Sequence, residues 1–78
     1  MTAPPLSPHG RKALALIRAS GHVIVDADLP TTELVTLAGA AAQWGAALTL
    51  RNAQVRSEDE LAEIATAGRG HVTFDLAE

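Results

Sequence analysis

The sequence predicts an α/β fold built from three helix–strand units, and two observations lead to this prediction. The segment GHVIVD at residues 21–26 returns as GHVTFD at residues 70–75, and the related segment GAALTLR occupies residues 45–51 between them. Each segment follows a stretch in which aliphatic residues recur at helical spacing. The unit therefore recurs every 24 to 25 residues, a period typical of stacked repeats that share one hydrophobic core.

Length and composition limit the chain to one small domain. Its 78 residues bury only a thin core. We expect residues 1–7, which include Pro4 and Pro5 and show no periodicity, to form a flexible tail. Residues 8–78 then form the single α/β domain. The chain has no cysteine, so disulfides and thiolate metal sites are excluded, and close packing or self-association must supply the remaining stability.

Charge and hydropathy predict the compartment and exclude some partners. Nine acidic side chains outnumber six basic ones, and aromatic residues make up only 3% of the chain, which argues against nucleic acid as a partner. The N-terminal segment has neither the basic nor the apolar region of a signal peptide. No apolar run approaches the roughly 20 residues that span a bilayer. We therefore expect a cytoplasmic protein without a membrane partner.

The first unit is predicted to be a helix over residues 8–20 and a strand over residues 22–26. Ser7 has the chemistry of an N-cap, and Pro8 suits the first helical position. Gly21 ends the helix, and residues 27–30 form a turn. The inward side of this helix is aliphatic and consists of Ala13, Leu14 and Ile17.

The second unit begins with a helix capped by Thr31 or Thr32. Its apolar positions follow one helical stripe: Leu34, Leu37, Ala38, Ala41 and Ala42. Gly45 ends this helix in the position typical of a left-handed C-cap. A strand over residues 47–51 completes the unit.

The third unit opens with the clearest start signal in the chain. Ser57 and Glu60 have the spacing of a capping box, and acidic side chains in the first turn favour the positive end of a helix. The helix ends within residues 67–70, and the last strand is predicted over residues 71–76.

Side-chain alternation predicts a parallel sheet in the order 1-2-3 with all helices packed on one face. Strands joined through helices run parallel, and one face of the three strands is apolar throughout. The predicted core lies beneath the helices and consists of Leu37, Leu48, Leu50, Ile64, Val72 and Phe74. On the other face, the order 1-2-3 sets Arg51 between Asp26 and Asp75, whereas the order 2-1-3 would place the two aspartates side by side.

The run LTLRN at residues 48–52, together with the 24- to 25-residue period, resembles a short leucine-rich-repeat helix–strand solenoid. The resemblance covers about residues 10–76 and implies recognition of protein partners through the open face of the sheet, without catalysis.

Two other kinds of site are possible on the residues alone. His22 and His71 could bind a metal or act as general bases in a small enzyme, although strand two would separate them by nearly 10 Å. Alternatively, a regulatory or ligand-sensing subunit would place its pocket past the strand ends, near Asp26, Asn52 and Asp75.

The favoured function is a non-catalytic protein-interaction or assembly module that associates mainly with itself and needs no cofactor. Trp44, the only tryptophan, is interpreted first as a plug for the end of the core and second as an interface anchor. The candidate interaction residues are Ile24, Trp44, Thr49, Arg51, Thr73 and Asp75.

Overall fold

Three helices and three strands alternate along the chain. A computed structural model describes residues 8–76, so the expected tail over residues 1–7 and the capping role of Ser7 lie outside the described residues. The elements are α1 (Pro8–Arg18), β1 (His22–Asp26), α2 (Thr31–Trp44), β2 (Ala47–Arg51), a 3₁₀ turn (Ala53–Val55), α3 (Glu58–Gly68) and β3 (Val72–Phe74). The predicted α/β class is confirmed.

The sheet has the predicted order. Its strands are parallel and follow each other as β1-β2-β3. In the register, Val23 lies opposite Leu48 and Leu48 lies opposite Val72. Asp26 lies opposite Arg51, which is the pairing that predicted this order. All three helices pack against the face that carries Leu48 and Leu50, so the opposite face is left open.

Several helix ends follow the capping chemistry of the sequence. Pro8 is the first residue of α1, although α1 ends at Arg18, two residues before the predicted end. Gly45 adopts the left-handed conformation after α2, with φ 67°. At the start of α3, the Ser57 hydroxyl accepts a hydrogen bond from the Glu60 amide, and the Glu60 carboxylate accepts one from the Ser57 amide, which completes the capping box.

The predicted cap of α2 is wrong. The N-cap residue is Pro30, and no side chain caps it. Thr31 is already the first helical residue, and its hydroxyl donates to the Glu60 carboxylate at 2.7 Å. The Thr31 oxygen also accepts from the Arg56 guanidinium at 3.1 Å, so this hydroxyl bonds to charged partners outside α2.

Strand β3 is shorter than predicted, because it covers Val72–Phe74 instead of residues 71–76. Pairing extends one residue further on each side: the Leu48 amide donates to the His71 carbonyl, and the Asp75 amide donates to the Leu50 carbonyl. Beyond Asp75 the strand loses its neighbour, since β2 ends at Arg51. After β2, the chain turns away from the sheet at Asn52, whose φ is 59°.

The core lies between the helices and the sheet. Its largest fully buried side chains are Ile17, Leu34, Leu37, Leu48, Leu50 and Ile64. Val72 and Phe74 are only partly buried, because β3 is an edge strand. Trp44 is 45% exposed, so its interpretation as a core plug is wrong. The small residues Ala41 and Ala46 are buried near that end of α2 instead.

Candidate interaction surface

The open face of the sheet is the candidate interaction surface. We define the open face by nine residues in three rows: His22, Ala47 and His71; Ile24, Thr49 and Thr73; Asp26, Arg51 and Asp75. The rows follow from the register, in which Ile24 lies opposite Thr49 and Thr49 lies opposite Thr73. Within residues 8–76, no helix or strand packs over these side chains.

An aliphatic residue lies exposed in the middle row of the open face. Ile24 is 65% exposed, although a β-branched side chain in a sheet normally packs against a neighbouring layer. On the helix side of the same sheet, Leu48 and Leu50 are fully buried. Parallel sheets are seldom left bare on one face. The contrast shows that the open face, unlike the helix side, leaves aliphatic area accessible to water.

Charge is confined to one end of the open face. Asp26 and Arg51 are directly paired in register, and Asp75 follows Phe74, which lies opposite Leu50. Arg51 therefore lies between two carboxylates at the carboxyl end of the strands, as predicted. All three side chains are exposed, so water screens their mutual attraction.

The two histidines lie at the other end of the open face and do not converge. His22 is exposed, whereas His71 is held by a 2.9 Å hydrogen bond between Nδ1 and the Ala46 carbonyl. Because a carbonyl can only accept, Nδ1 carries the proton and Nε2 is the remaining acceptor. Strand β2 separates the two rings, with backbones nearly 10 Å apart. Among the described residues, no group of three or more His, Asp or Glu side chains is placed to hold a metal ion.

Polar groups past the strand ends hold the loops in place. The Asp26 carboxylate accepts from the Asp28 amide at 3.1 Å and from the Asn52 side-chain amide at 3.0 Å. The Ala53 amide donates to the Asp75 carbonyl at 3.0 Å. Both oxygens of Asp26 are thus used to bring the loops after β1 and β2 together. This is where the ligand-sensing interpretation placed its pocket.

A polar cluster that the sequence reasoning missed joins the same two loops. We call Thr31, Arg56 and Glu60 the Arg56 cluster. The Arg56 guanidinium donates to the Ala27 carbonyl at 2.7 Å and also to the Leu29 carbonyl. It also contacts the Glu60 carboxylate at 3.3 Å. The four-residue spacing of Arg56 and Glu60 was the available signal, since such pairs meet when the chain turns into a helix.

Glu60 supplies the carboxyl group of the Arg56 cluster, and its pKa is strongly lowered. The Thr31 hydroxyl, the Ser57 amide and hydroxyl, and the nearby Arg56 charge together lower the pKa of Glu60 from 4.5 to about 2. Each of these groups favours the ionised carboxylate. Every partner of Glu60 in this cluster belongs to a loop or a helix start, so the arrangement serves the fold.

Trp44 lies away from the open face, at the carboxyl end of α2. Its carbonyl accepts a 2.9 Å hydrogen bond from the Ser20 hydroxyl, which ties the end of α2 to the turn before β1. Close by in sequence, a shallow depression of about 320 Å³ opens between α2 and α3 and is lined by Gly39, Ala42, Gln43, Ala67 and Arg69. Its lining combines glycine and alanine with two polar side chains, so it has no large apolar side chain to offer a partner.

Comparisons of this chain with protein-family models, with curated proteins and with solved structures find no match. Among residues 8–76, no helix has the length and apolar character needed to cross a membrane.

Proposed function

We propose that this protein is a small, non-catalytic interaction module that works by association, principally with a second copy of itself. The open face is the surface through which it associates. The observation that carries this proposal is the exposure of Ile24, which is 65% accessible in the middle row of a sheet whose other face carries the fully buried Leu48 and Leu50.

The composition of the open face supports association. Its middle row combines Ile24 with Thr49 and Thr73, whose methyl groups add apolar area and whose hydroxyls can bond across an interface. The charged and titratable side chains are confined to the two outer rows, so the arrangement is an apolar centre with a polar rim. Such a surface favours a protein partner over a small molecule, because its side chains lie side by side on a sheet and do not enclose a ligand from several sides.

The size of the domain gives a reason for association. A chain of 78 residues buries a smaller fraction of its surface than larger domains do. Covering the open face would place a second layer on the sheet and shield Ile24 from water. Small domains commonly gain stability by oligomerisation in this way.

Sedimentation equilibrium from low to high micromolar concentration tests the proposal. The weight-average mass should rise from 8.1 kDa toward twice that value. The variant Ile24→Asp should remain at 8.1 kDa, because a charge in the middle row of the open face would be buried unpaired on association.

A matched control uses Val55, which is β-branched and also 65% exposed. It lies in the 3₁₀ turn Ala53–Val55, outside the open face, so Val55→Asp should associate like the wild type. A wild-type mass of 8.1 kDa at every concentration would contradict self-association. Equal loss of association in both variants would contradict the assignment to the open face.

A further inference from the structure

The open face carries a pattern that matches itself when it is turned end to end. Its first row has histidine, alanine and histidine, and its last row has aspartate, arginine and aspartate. His22 lies opposite Ala47 and Asp26 lies opposite Arg51, so the two outer rows are equidistant from the middle row. Along each strand the open-face residues are four positions apart from first to last.

Two-fold symmetry allows two ways of stacking two open faces. When the strands of both copies run in the same direction, each row meets the same row of the partner, and β1 lies over β3 of the partner. Arg51 then faces the partner's Arg51, and Asp26 faces the partner's Asp75. Like charges would be opposed at every position of that row, which is unfavourable at a desolvated interface.

When the strands run in opposite directions, the first row meets the last row of the partner. His22 then lies over the partner's Asp26, and an imidazole can donate a hydrogen bond to a carboxylate. The small Ala47 lies over the partner's Arg51 and leaves room for its long side chain. Ile24 meets the partner's Ile24 in the middle row, where both aliphatic side chains lose contact with water.

From this self-complementarity we infer that the partner is a second copy of the chain, docked open face to open face with antiparallel strands. The inference rests on the proposed function and adds to it the orientation and the pairing of rows. On β3, His71 lies over the partner's Asp75, but its Nδ1 proton is donated to the Ala46 carbonyl, so the hydrogen bond from histidine to aspartate is assigned to β1 alone. The contact between His22 and the partner's Asp26 occurs twice in the dimer because of the symmetry.

The area of the open face sets the strength of the dimer. Strands about 4.8 Å apart with a rise of about 3.3 Å per residue give a face of roughly 14 by 17 Å. The area of this face is well below the roughly 800 Å² that each partner buries in a standard stable interface. The dimer should therefore be reversible, with a dissociation constant in the micromolar range.

The sign of the charge at position 22 tests the orientation. His22 is exposed, so substitution leaves the core intact, and far-UV circular dichroism can verify the fold. At neutral pH, His22→Asp would oppose the partner's Asp26, whereas His22→Lys would pair with it. Since each contact occurs twice, sedimentation should show dimerisation weakened by about fivefold in His22→Asp and strengthened by a similar factor in His22→Lys.

Gln54 provides the matched controls, because it is exposed and lies in the 3₁₀ turn Ala53–Val55. Gln54→Asp and Gln54→Lys change the net charge equally and should leave dimerisation nearly unchanged. A dimer in which His22→Asp strengthens association would overturn the antiparallel orientation, because His22 faces the partner's His71 in the parallel one. A dimer that responds to neither His22 variant would overturn face-to-face docking. A chain that stays monomeric throughout would contradict the proposed function itself.

Discussion

Glu60 shows how one side chain can join two loops and a helix. Its carboxylate accepts from the Thr31 hydroxyl at 2.7 Å and from the Ser57 amide at 3.1 Å. The Arg56 guanidinium lies 3.3 Å away. Every one of these contacts requires the ionised carboxylate or is strengthened by it. The stability of the fold should therefore depend on the charge of this residue.

Acid unfolding measures this dependence. The pKa of Glu60 is lowered from 4.5 to about 2, so the folded state holds this proton less tightly than the unfolded state does. Its contribution to stability is fully present above about pH 4.5 and is lost as the pH falls toward about 2. Urea unfolding across this window should show a falling midpoint in the wild type and a shallower fall in Glu60→Gln.

Glutamine keeps an acceptor for the capping box, so Glu60→Gln isolates the charge from the cap. The matched control is Glu63→Gln, which removes an exposed carboxylate one turn later on α3 and should keep the wild-type acid profile. If Glu60→Gln and the wild type lose stability in parallel through this window, the role given to the carboxylate is wrong.

At the residue scale, the sequence predicted contacts within one segment better than contacts between segments. The capping box of Ser57 and Glu60 needs only three residues of spacing and was predicted. The bond from Thr31 to Glu60 spans 29 residues, and no local pattern signals it. Trp44 shows the same limit, because whether an aromatic ring at a helix end turns inward depends on how closely its neighbours pack.

At the scale of elements, two glycines in helices have opposite surroundings. Gly39 lies within α2, and a Cβ built on it meets nothing within 4 Å. Gly68 is the last residue of α3, and a Cβ there would lie 2.3 Å from Cγ2 of Val72. The absence of a side chain at Gly68 thus allows α3 to end directly against β3.

Alanine substitution should separate these two positions. Gly39→Ala removes a flexible residue from a helix interior and should stabilise the protein by about 0.5–1 kcal/mol. Gly68→Ala also replaces glycine with a residue of higher helix propensity. However, the new methyl group forces Val72 to move, and overpacking of this kind costs about 1–3 kcal/mol. Thermal unfolding of the two variants should therefore shift in opposite directions, and equal shifts would contradict the close contact at Gly68.

The bounds of the elements were predictable wherever a local signal sets them. Strands β1 and β2 have the predicted limits, since Gly21 and Gly45 precede them and polar loops follow. Strand β3 ends earlier than predicted because its length depends on β2, which provides its only pairing partner among the described residues. A strand at the edge of a sheet can be no longer than its neighbour allows.

At the scale of the whole molecule, the strand order followed from the charges on one face. Asp26, Arg51 and Asp75 can alternate in sign only when β2 is central, and the structure has that order. The open face was predicted by the same alternation of side chains. The binding partner of the open face could not be predicted in the same way, because the sequence of one chain determines the residues on a surface but does not identify the molecule that binds there.

Association and folding should be coupled in a domain of this size. A partner that binds only the folded state stabilises it, so the melting temperature of a dimer rises with protein concentration. Where the dimer predominates, a tenfold increase in concentration contributes about 0.7 kcal/mol per chain, which is about 3–5 °C for a small domain. Differential scanning calorimetry at several concentrations should show this rise in the wild type.

The variants of the open face make the coupling specific. Ile24→Asp should melt at a temperature independent of concentration, because its folded state has no partner to bind. Val55→Asp should keep the concentration dependence of the wild type, since Val55 lies outside the open face. A melting temperature that rises equally in all three proteins would mean that the stabilising contact lies elsewhere, at a strand edge or a helix surface. A rise confined to the proteins that retain Ile24 would tie the stability of the fold to the surface through which it associates.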